Sequence, residues 1–330
     1  MIPENKGKIK KIAVLTSGGD SPGMNPAIRA VVRTAIYNKI EVLGIKNGYD
    51  GLINDWTVPL TSRSVGGIIN RGGTILFSAR SEKFKTPEGR QRAFKTLKKH
   101  NVSGLVAIGG DGTYRGAHEF HKETGFSVIG VPGTIDNDIA GTDYTIGFYT
   151  AIDTAMQAID KIRDTAISHN RLFLVEVMGR HAGFIAVASA IAGGAEDVLI
   201  PETKTDIKSL CKRLNEGKKR GKRSSIIVVA EGDEEGNAME IAKKIEKDEQ
   251  YETRVSVIGY QQRGGSPSAL DRILATRLGS AAVEELIKGI KSAMVGIHRN
   301  KVVTHPLEMA WKEKKSIDKN IIKLVEIMSS

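Results

Sequence analysis

A short β-branched apolar run, a glycine-rich or polar turn and a longer stretch of helical periodicity succeed one another along most of this chain. The apolar runs fall at residues 12–15, 105–108, 128–131, 172–177, 198–200, 226–229 and 255–258, and the helical stretches include 27–38, 150–166, 206–219 and 270–288. The runs are nearly unbroken rather than alternating, which is the pattern of parallel strands covered by helices on both faces. The expected fold class is therefore α/β. With 330 residues and about 150 residues per domain as a guide, two lobes are expected, each three-layered around a mostly parallel sheet.

Polar or glycine-rich motifs come after these runs: Ser17-Gly18-Gly19-Asp20, Gly109-Gly110-Asp111-Gly112, Gly133-Thr134-Ile135-Asp136, Met178-Gly179-Arg180, Glu231-Gly232 and Gln262-Arg263-Gly264-Gly265. Ligands of an open parallel sheet bind outside the carboxyl ends of its strands, so one crevice collecting all six motifs is the expected site.

The longest apolar stretches, such as 184–192 and 226–230, fall well short of the ~20 residues that cross a bilayer. Residues 1–11 are polar and lysine-rich, without the apolar core of a secretory signal. A cytoplasmic protein with no membrane partner is expected. Cys211 is the only cysteine, so one chain can build neither an internal disulfide nor a thiolate metal cluster. The formal net charge of +11 favours anionic partners. Stacking on bases has little support from 5% aromatic content and no zinc-finger, helix-turn-helix or RNA-binding signature, so no nucleic acid partner is expected.

The segment 106–114, VAIGGDGTY, sets glycines and Asp111 between a strand and a helix. Glycine lets the backbone approach phosphate, and the amides of a helix start favour negative charge. A carboxylate such as Asp111 can hold Mg2+ together with substrate phosphates. The tetrapeptide alone also fits an ordinary tight turn. It is not a Walker A loop, and Gly116 comes one position too late for the dinucleotide fingerprint. In the extended reading of 132–138, PGTIDND, residues two apart face one side, so Thr134, Asp136 and Asp138 point together into the crevice. A carboxylate there can take a proton from a hydroxyl, although Asn and Asp are also common in turns. Arg180 and Arg263 follow strands, Arg171 and Arg254 begin the same strands, and Arg80 follows the run 74–79. Guanidinium forks bind phosphate bidentately and neutralise a phosphoryl group in transfer. Any one of them alone also reads as a surface salt bridge.

The ordered set TSGGDSPGMN, RGGTILFSAR, IGGDGT, PGTIDND, MGRHAG, AEG, ETR and QRGGSP resembles bacterial 6-phosphofructokinase, from about residue 11 to residue 307. The resemblance implies a phosphofructokinase-like fold and a glycolytic kinase that moves the γ-phosphoryl group of ATP to the 1-hydroxyl of fructose 6-phosphate. Mg2+ as cofactor and a homotetramer follow by the same analogy. Gly19, Arg80, Ser81, Gly110, Asp111, Gly112 and Thr113 match the ATP site, with Asp111 at the magnesium position. Asp136 matches the general base, supported by Thr134 and Asp138, and Arg180 falls where the transferring phosphoryl group is stabilised. Contacts to the sugar phosphate are implied at Thr134, Ile135, Asp136, Met178, Gly179, Arg180, Glu231, Tyr260, Gln261, Gln262 and Arg263, while Arg171 and Arg254 match arginines lent by a neighbouring subunit. Arg29, Arg33, Arg163, Gly194, Ala195, Glu196, Arg220, Lys222, Arg223 and Ser224 match an effector pocket between subunits, where ADP activates and phosphoenolpyruvate inhibits.

The chain departs from the pattern in places. Tyr260 stands where many members carry a histidine, so a neutral hydroxyl replaces an imidazole. Phe184 stands where an aspartate is common, and Ser62, Arg63 and Gly67 replace Arg, Tyr and Asp of well-regulated members. Pyrophosphate-dependent relatives usually carry Asp and Lys at the positions of Gly112 and Gly133; two open glycines leave room for the nucleotide α-phosphate, which favours ATP. A pyrophosphate-dependent enzyme and a non-catalytic nucleotide-sensing subunit are the alternatives. NAD kinase and lipid kinases share the Gly-Gly-Asp-Gly-Thr motif but not the MGR, ETR and QRGG segments. By analogy, residues 1–147 plus 262–312 form the larger, ATP-binding lobe, and 148–261 plus 313–330 the smaller, sugar-phosphate-binding lobe.

Overall fold

The computed structural model describes residues 9–169, 171–222, 224–249 and 252–329. Its strands are β1 (Lys11–Ser17), β2 (Glu41–Ile45), β3 (Thr57–Leu60), β4 (Gly104–Gly109), β5 (Val128–Pro132), β6 (Leu172–Val177), β7 (Asp197–Leu199), β8 (Ser225–Ala230), β9 (Thr253–Val257), β10 (Ser292–His298) and β11 (Lys301–His305). Its helices are α1 (Met24–Tyr37), α2 (Gly48–Asn54), α3 (Pro87–Lys99), α4 (Asp111–Thr124), α5 (Phe148–His169), α6 (Phe184–Gly193), α7 (Ile207–Lys219), α8 (Ala238–Glu249), α9 (Ala269–Ile287), α10 (Met309–Lys312) and α11 (Lys319–Ser329). Two compact units result. The first takes in the chain to Thr134, then Ile139–Tyr149 and Arg263–Lys315; the second takes in Ile135–Asp138, Thr150–Gln262 and Ser316–Ser330.

In the first unit a seven-stranded sheet runs in the order β11-β10-β5-β4-β1-β2-β3. Its five inner strands are parallel, and β3 and β11 close the edges antiparallel. The unbroken apolar runs have their reason here. Ile12, Val14, Val106 and Ile108 pack with α1 and α9 through Ile28, Val31 and Leu278. Ala13, Leu15, Leu105 and Ala107 enter a separate core with Tyr49, Leu97, Tyr114 and Phe120. Both faces of these strands are thus buried, as the pattern requires.

Four strands lie outside the apolar runs. β2 and β10 are buried but are interrupted by Gly44 and Gly296. A Cβ at Gly44 would lie 2.8 Å from Leu76 Cδ2 and 2.9 Å from Leu60 Cδ1, so packing excludes a side chain. β3 carries Pro59 and β11 is half-exposed, both as expected of edges.

The second unit holds a four-stranded parallel sheet in the order β7-β8-β6-β9. Its core joins Leu172, Leu174, Ile227 and Val229 to Leu210 and Leu214 of α7 and Ile241 and Ile245 of α8. The motifs singled out from sequence therefore belong to the carboxyl edges of two separate sheets: 17–20, 109–112 and 133–136 follow β1, β4 and β5, whereas 178–180 and 231–232 follow β6 and β8. Among the described residues no helix is long and apolar enough to cross a membrane.

Candidate active site

In the first sheet β1 has β2 on one side and β4 on the other, although β4 comes later in the chain. This is a topological switch point, where ligands of open parallel sheets bind. Ser17 and Gly109 are in register there, so the 18–19 loop and the 110–112 loop leave the sheet side by side. Thr113 Oγ1 donates to Ser17 O at 3.1 Å and ties the two together. A Cβ at Gly109 would meet Thr113 Oγ1 at 2.3 Å and Ser17 O at 2.5 Å, which is why that position is glycine.

The segment carrying Arg80 is not a strand. It is strapped across the carboxyl end of β1 by Thr16 Oγ1 donating to Phe77 O (2.7 Å), Gly18 N donating to Ala79 O (3.2 Å) and Ser78 Oγ donating to Gly18 O (2.7 Å). Buried Asn25 holds its other end, donating to Arg71 O and Gly72 O and accepting from Ile75 N at 2.8 Å. Arg80 is exposed at the end of this strap. The Ser81 hydroxyl donates to the Asp50 carboxylate and accepts from Phe84 N, so it anchors the 3-10 turn Lys83–Lys85.

Asp111 opens the first turn of α4, where the helix dipole favours negative charge. Its side chain is about one-third exposed, with Arg115 Nε at 3.7 Å. Among the described residues no three His, Cys, Asp or Glu side chains converge as a metal cage.

Beyond β5 the backbone corrects the extended reading of 132–138. The strand ends at Pro132, residues 135 and 136 form a bend, and Asn137 is left-handed (φ 55°). Alternation of faces therefore does not carry from Thr134 to Asp138. Asp136 is 8% exposed, Ile135 is buried, and Thr134 and Asp138 are half-buried.

In the second unit β6 lies between β8 and β9, and its carboxyl end is held from both sides. Gln262 Oε1 accepts from Met178 N at 2.8 Å; Glu231 Oε1 accepts from Gly179 N at 3.3 Å and Arg180 N at 2.7 Å. Three successive amides are thus fixed by side chains distant in sequence. Gln262 is 0% exposed and its amide also donates to Ala151 O. Buried there, it ties the end of β6 to α5. Tyr260, 82% exposed, and exposed Gln261 stand in the 3-10 turn Gly259–Arg263. Arg171 and Arg254 lie at the opposite end of the same sheet, the length of β6 away, or about 20 Å at about 3.3 Å per residue. There both pair with Glu252, Arg171 through Nε at 3.2 Å.

The phosphofructokinase family model matches residues 11–286. This chain belongs to the phosphofructokinase family. Relatives named ATP-dependent 6-phosphofructokinase, from Oceanobacillus iheyensis and Bacillus pumilus, are each 56% identical over 97% of this chain and 100% of their own length. Pichia pastoris phosphofructokinase, crystallised in the T-state, superposes with a TM-score of 0.88 at 35% identity over 97% of this chain, which spans 37% of the Pichia chain. A pyrophosphate-dependent phosphofructokinase from Marinobacter aquaeolei, with a TM-score of 0.83 and 23% identity, shares the fold.

One position of this phosphofructokinase differs from the sequence reading. Gly112 is open, with no atom within 4 Å of a Cβ built there, but Gly133 is packed: its Cβ would lie 2.9 Å from Ile108 Cγ2 and 3.3 Å from Met24 Cε. The end of β5 presses on α1 at that point, so one glycine rather than two leaves room. Arg263 lies in the first unit. Its guanidinium rests on Gly19, where a Cβ would fall 2.0 Å from Nη1.

The residues matched to an effector pocket from sequence are divided between the two units. Arg29 and Arg33 are on α1, and Arg33 donates to Ser62 O at 3.2 Å. In the second unit Arg163 donates to Gly194 O at 2.7 Å, Glu196 accepts from Ile226 N and pairs with Lys222 at 3.2 Å, and Ala195 is buried beside them. Arg220 is exposed at the end of α7 and Ser224 is half-buried. Arg223 lies outside the described residues.

The sequence reading missed Asn25, Asp50 and Asp271. Asn25 is visible only as the last letter of the GMN turn, and Asp50 has no motif. Asp271 is signalled by the spacing Ser268-x-x-Asp271, which reads as a helix cap.

Proposed function

We propose that this protein transfers the γ-phosphoryl group of ATP to the 1-hydroxyl of fructose 6-phosphate, giving fructose 1,6-bisphosphate and ADP. The observation that carries the reading is the full-length, 56% identity to proteins named for that activity. The geometry supports it: the glycine loops 18–19 and 110–112 lie side by side at a switch point, and their backbones can approach a polyphosphate closely.

Asp136 takes the proton of the attacking hydroxyl. Arg80 and Arg180 neutralise charge on the phosphoryl oxygens, and catalysis consists mainly of this alignment and neutralisation. Met178, Gly179, Arg180 and Glu231 hold the acceptor, with Tyr260 beside its phosphate. Mg2+ fits Asp111, a partly exposed carboxylate at a helix start, because this ion usually takes one or two carboxylates and completes its shell with phosphate oxygens and water. Bound there it would screen the charge of the polyphosphate.

Arg171 and Arg254 stand at the far end of the sheet from Arg180 and Glu231, which supports the reading that they serve a neighbouring subunit of a homotetramer. Regulation by ADP and phosphoenolpyruvate at Arg29, Arg33, Arg163, Glu196, Arg220 and Lys222 belongs to the same proposal, as does a cytoplasmic location. The same proposal assigns ATP to the first lobe and the sugar phosphate to the second; the observed units differ from the lobes expected from sequence in placing residues 135–138 and 262 in the second and 148–149 and 313–315 in the first.

The test is an assay of purified protein with fructose 6-phosphate and Mg2+, offering ATP and pyrophosphate separately. Turnover with ATP is expected; turnover with pyrophosphate alone, or with neither, contradicts the reading.

A further inference from the structure

Asp271, in the first turn of α9, is a carboxylate at 0% exposure that the mechanism above does not use. Its Oδ1 accepts from Gly147 N at 2.8 Å, and Ser268 fixes it in turn, accepting from Asp271 N at 3.2 Å. Gly147 ends an excursion of the chain that leaves β5 at Gly133 and carries Asp136. The neck of that excursion is closed by further bonds. Gly133 and Ile146 form a β-bridge, Ile146 N donates to Pro132 O at 2.8 Å, and Gly133 N donates to Gly109 O at 3.1 Å. The returning limb is held by Ile297, which donates to Thr142 Oγ1 at 3.0 Å and accepts from Asp143 N at 2.7 Å.

Two glycines show how tightly the neck is built. Gly147 has φ 108° and Gly23 has φ 113°, and a Cβ at Gly23 would lie 2.5 Å from Ile146 Cγ2 and 3.7 Å from Asp271 Cβ. A residue 124 positions away in sequence therefore sets the backbone from which the loop of the general base departs.

We infer that Asp271 is a positioning residue for phosphoryl transfer: by accepting from Gly147 it fixes the neck of the 133–147 loop and so the placement of Asp136. This rests on the reading of Asp136 as general base. Misplacing a reacting group by about 1 Å costs on the order of 10²-fold in rate.

The experiment compares wild type, Asp271→Leu, Asp271→Asn and Gly147→Ala in steady-state kinetics with both substrates, alongside melting temperatures. Asp271→Leu, which has the size but no acceptor, is expected to lower kcat about 10²-fold, with KM for ATP changed far less because loops 18–19 and 110–112 keep their own tie from Thr113 Oγ1 to Ser17 O. Asp271→Asn, which keeps an acceptor oxygen, should recover most of that loss. Gly147→Ala, forced out of its positive φ, should reproduce the kcat defect and decides the matter if Asp271→Leu does not fold. Wild-type kcat in Asp271→Leu or Gly147→Ala, or a parallel decline of kcat and ATP affinity, overturns the inference. A wild-type protein inactive with ATP and fructose 6-phosphate would instead overturn the functional reading.

Discussion

Glu231 grips the backbone of Arg180: its Oε1 accepts from Arg180 N at 2.7 Å, and Arg180 sits in the left-handed region at φ 60°. That conformation costs a non-glycine residue about 1 kcal/mol, and a charge-assisted hydrogen bond of this kind offsets it. The carboxylate thus holds the backbone of the arginine in place. Glu231→Ala should raise KM for fructose 6-phosphate by about tenfold or more, equivalent to about 1.4 kcal/mol, and lower kcat, while KM for ATP stays near the wild-type value. Steady-state kinetics with each substrate varied in turn check this.

The proposed general base is the simplest target. Asp136→Ser should lower kcat by about 10²- to 10⁴-fold, the usual range for a lost general base, with little change in ATP affinity. An Asp136→Ser enzyme with full turnover would remove the mechanism.

Donor choice should depend on one glycine more than on the other. Gly112→Asp meets no neighbouring atom within 4 Å, so the variant should fold with an unchanged melting temperature yet bind ATP at least about tenfold more weakly, by about 1.4 kcal/mol. Gly133→Lys would force Ile108 and Met24 aside and should cost about 1–3 kcal/mol of stability, as overpacked cores do. Calorimetry and ATP titration separate the two outcomes.

Acid stability should depend on Glu123. Arg90, buried on α3, donates from Nε to Glu123 Oε2 at 2.8 Å and from Nη1 to Phe84 O (3.0 Å) and Lys85 O (2.8 Å). The hydrogen bonds from Arg90 hold the Glu123 carboxyl below its ordinary value. A depressed carboxyl pKa contributes stability that is fully present above the unfolded value, about 4.3, and is lost as pH falls through the folded value. Arg90→Met should therefore destabilise by about 2 kcal/mol at pH 7, and by less at pH 3. Urea unfolding at the two pH values gives the comparison.

How much of this was legible beforehand follows from where each partner lies in the chain. Strands β1 and β4 announce themselves because each buries both faces, so hydrophobic burial writes an unbroken run into the sequence. β2 and β10 escaped because close packing demands Gly44 and Gly296 in their middles, and β3 and β11 because an edge strand buries only part of itself. The site divides in the same way. Asp111, Arg180 and the glycines of loops 18–19 and 110–112 are readable because a glycine turn after a strand, with a charged side chain beside it, is local, a matter of a few consecutive residues.

The sequence by itself determined the family, the parallel architecture and the glycine-rich loops proposed to carry the chemistry. Only the tertiary structure decided that Gln262 ties down Met178, that Gly133 is packed while Gly112 is open, that Asn137 breaks the alternation expected across Asp136, and that Asp271 closes the neck of that loop. Each of these is a contact between residues far apart in the chain, or a backbone angle such contacts impose. Local propensity contains no term for a partner 84 or 124 residues away.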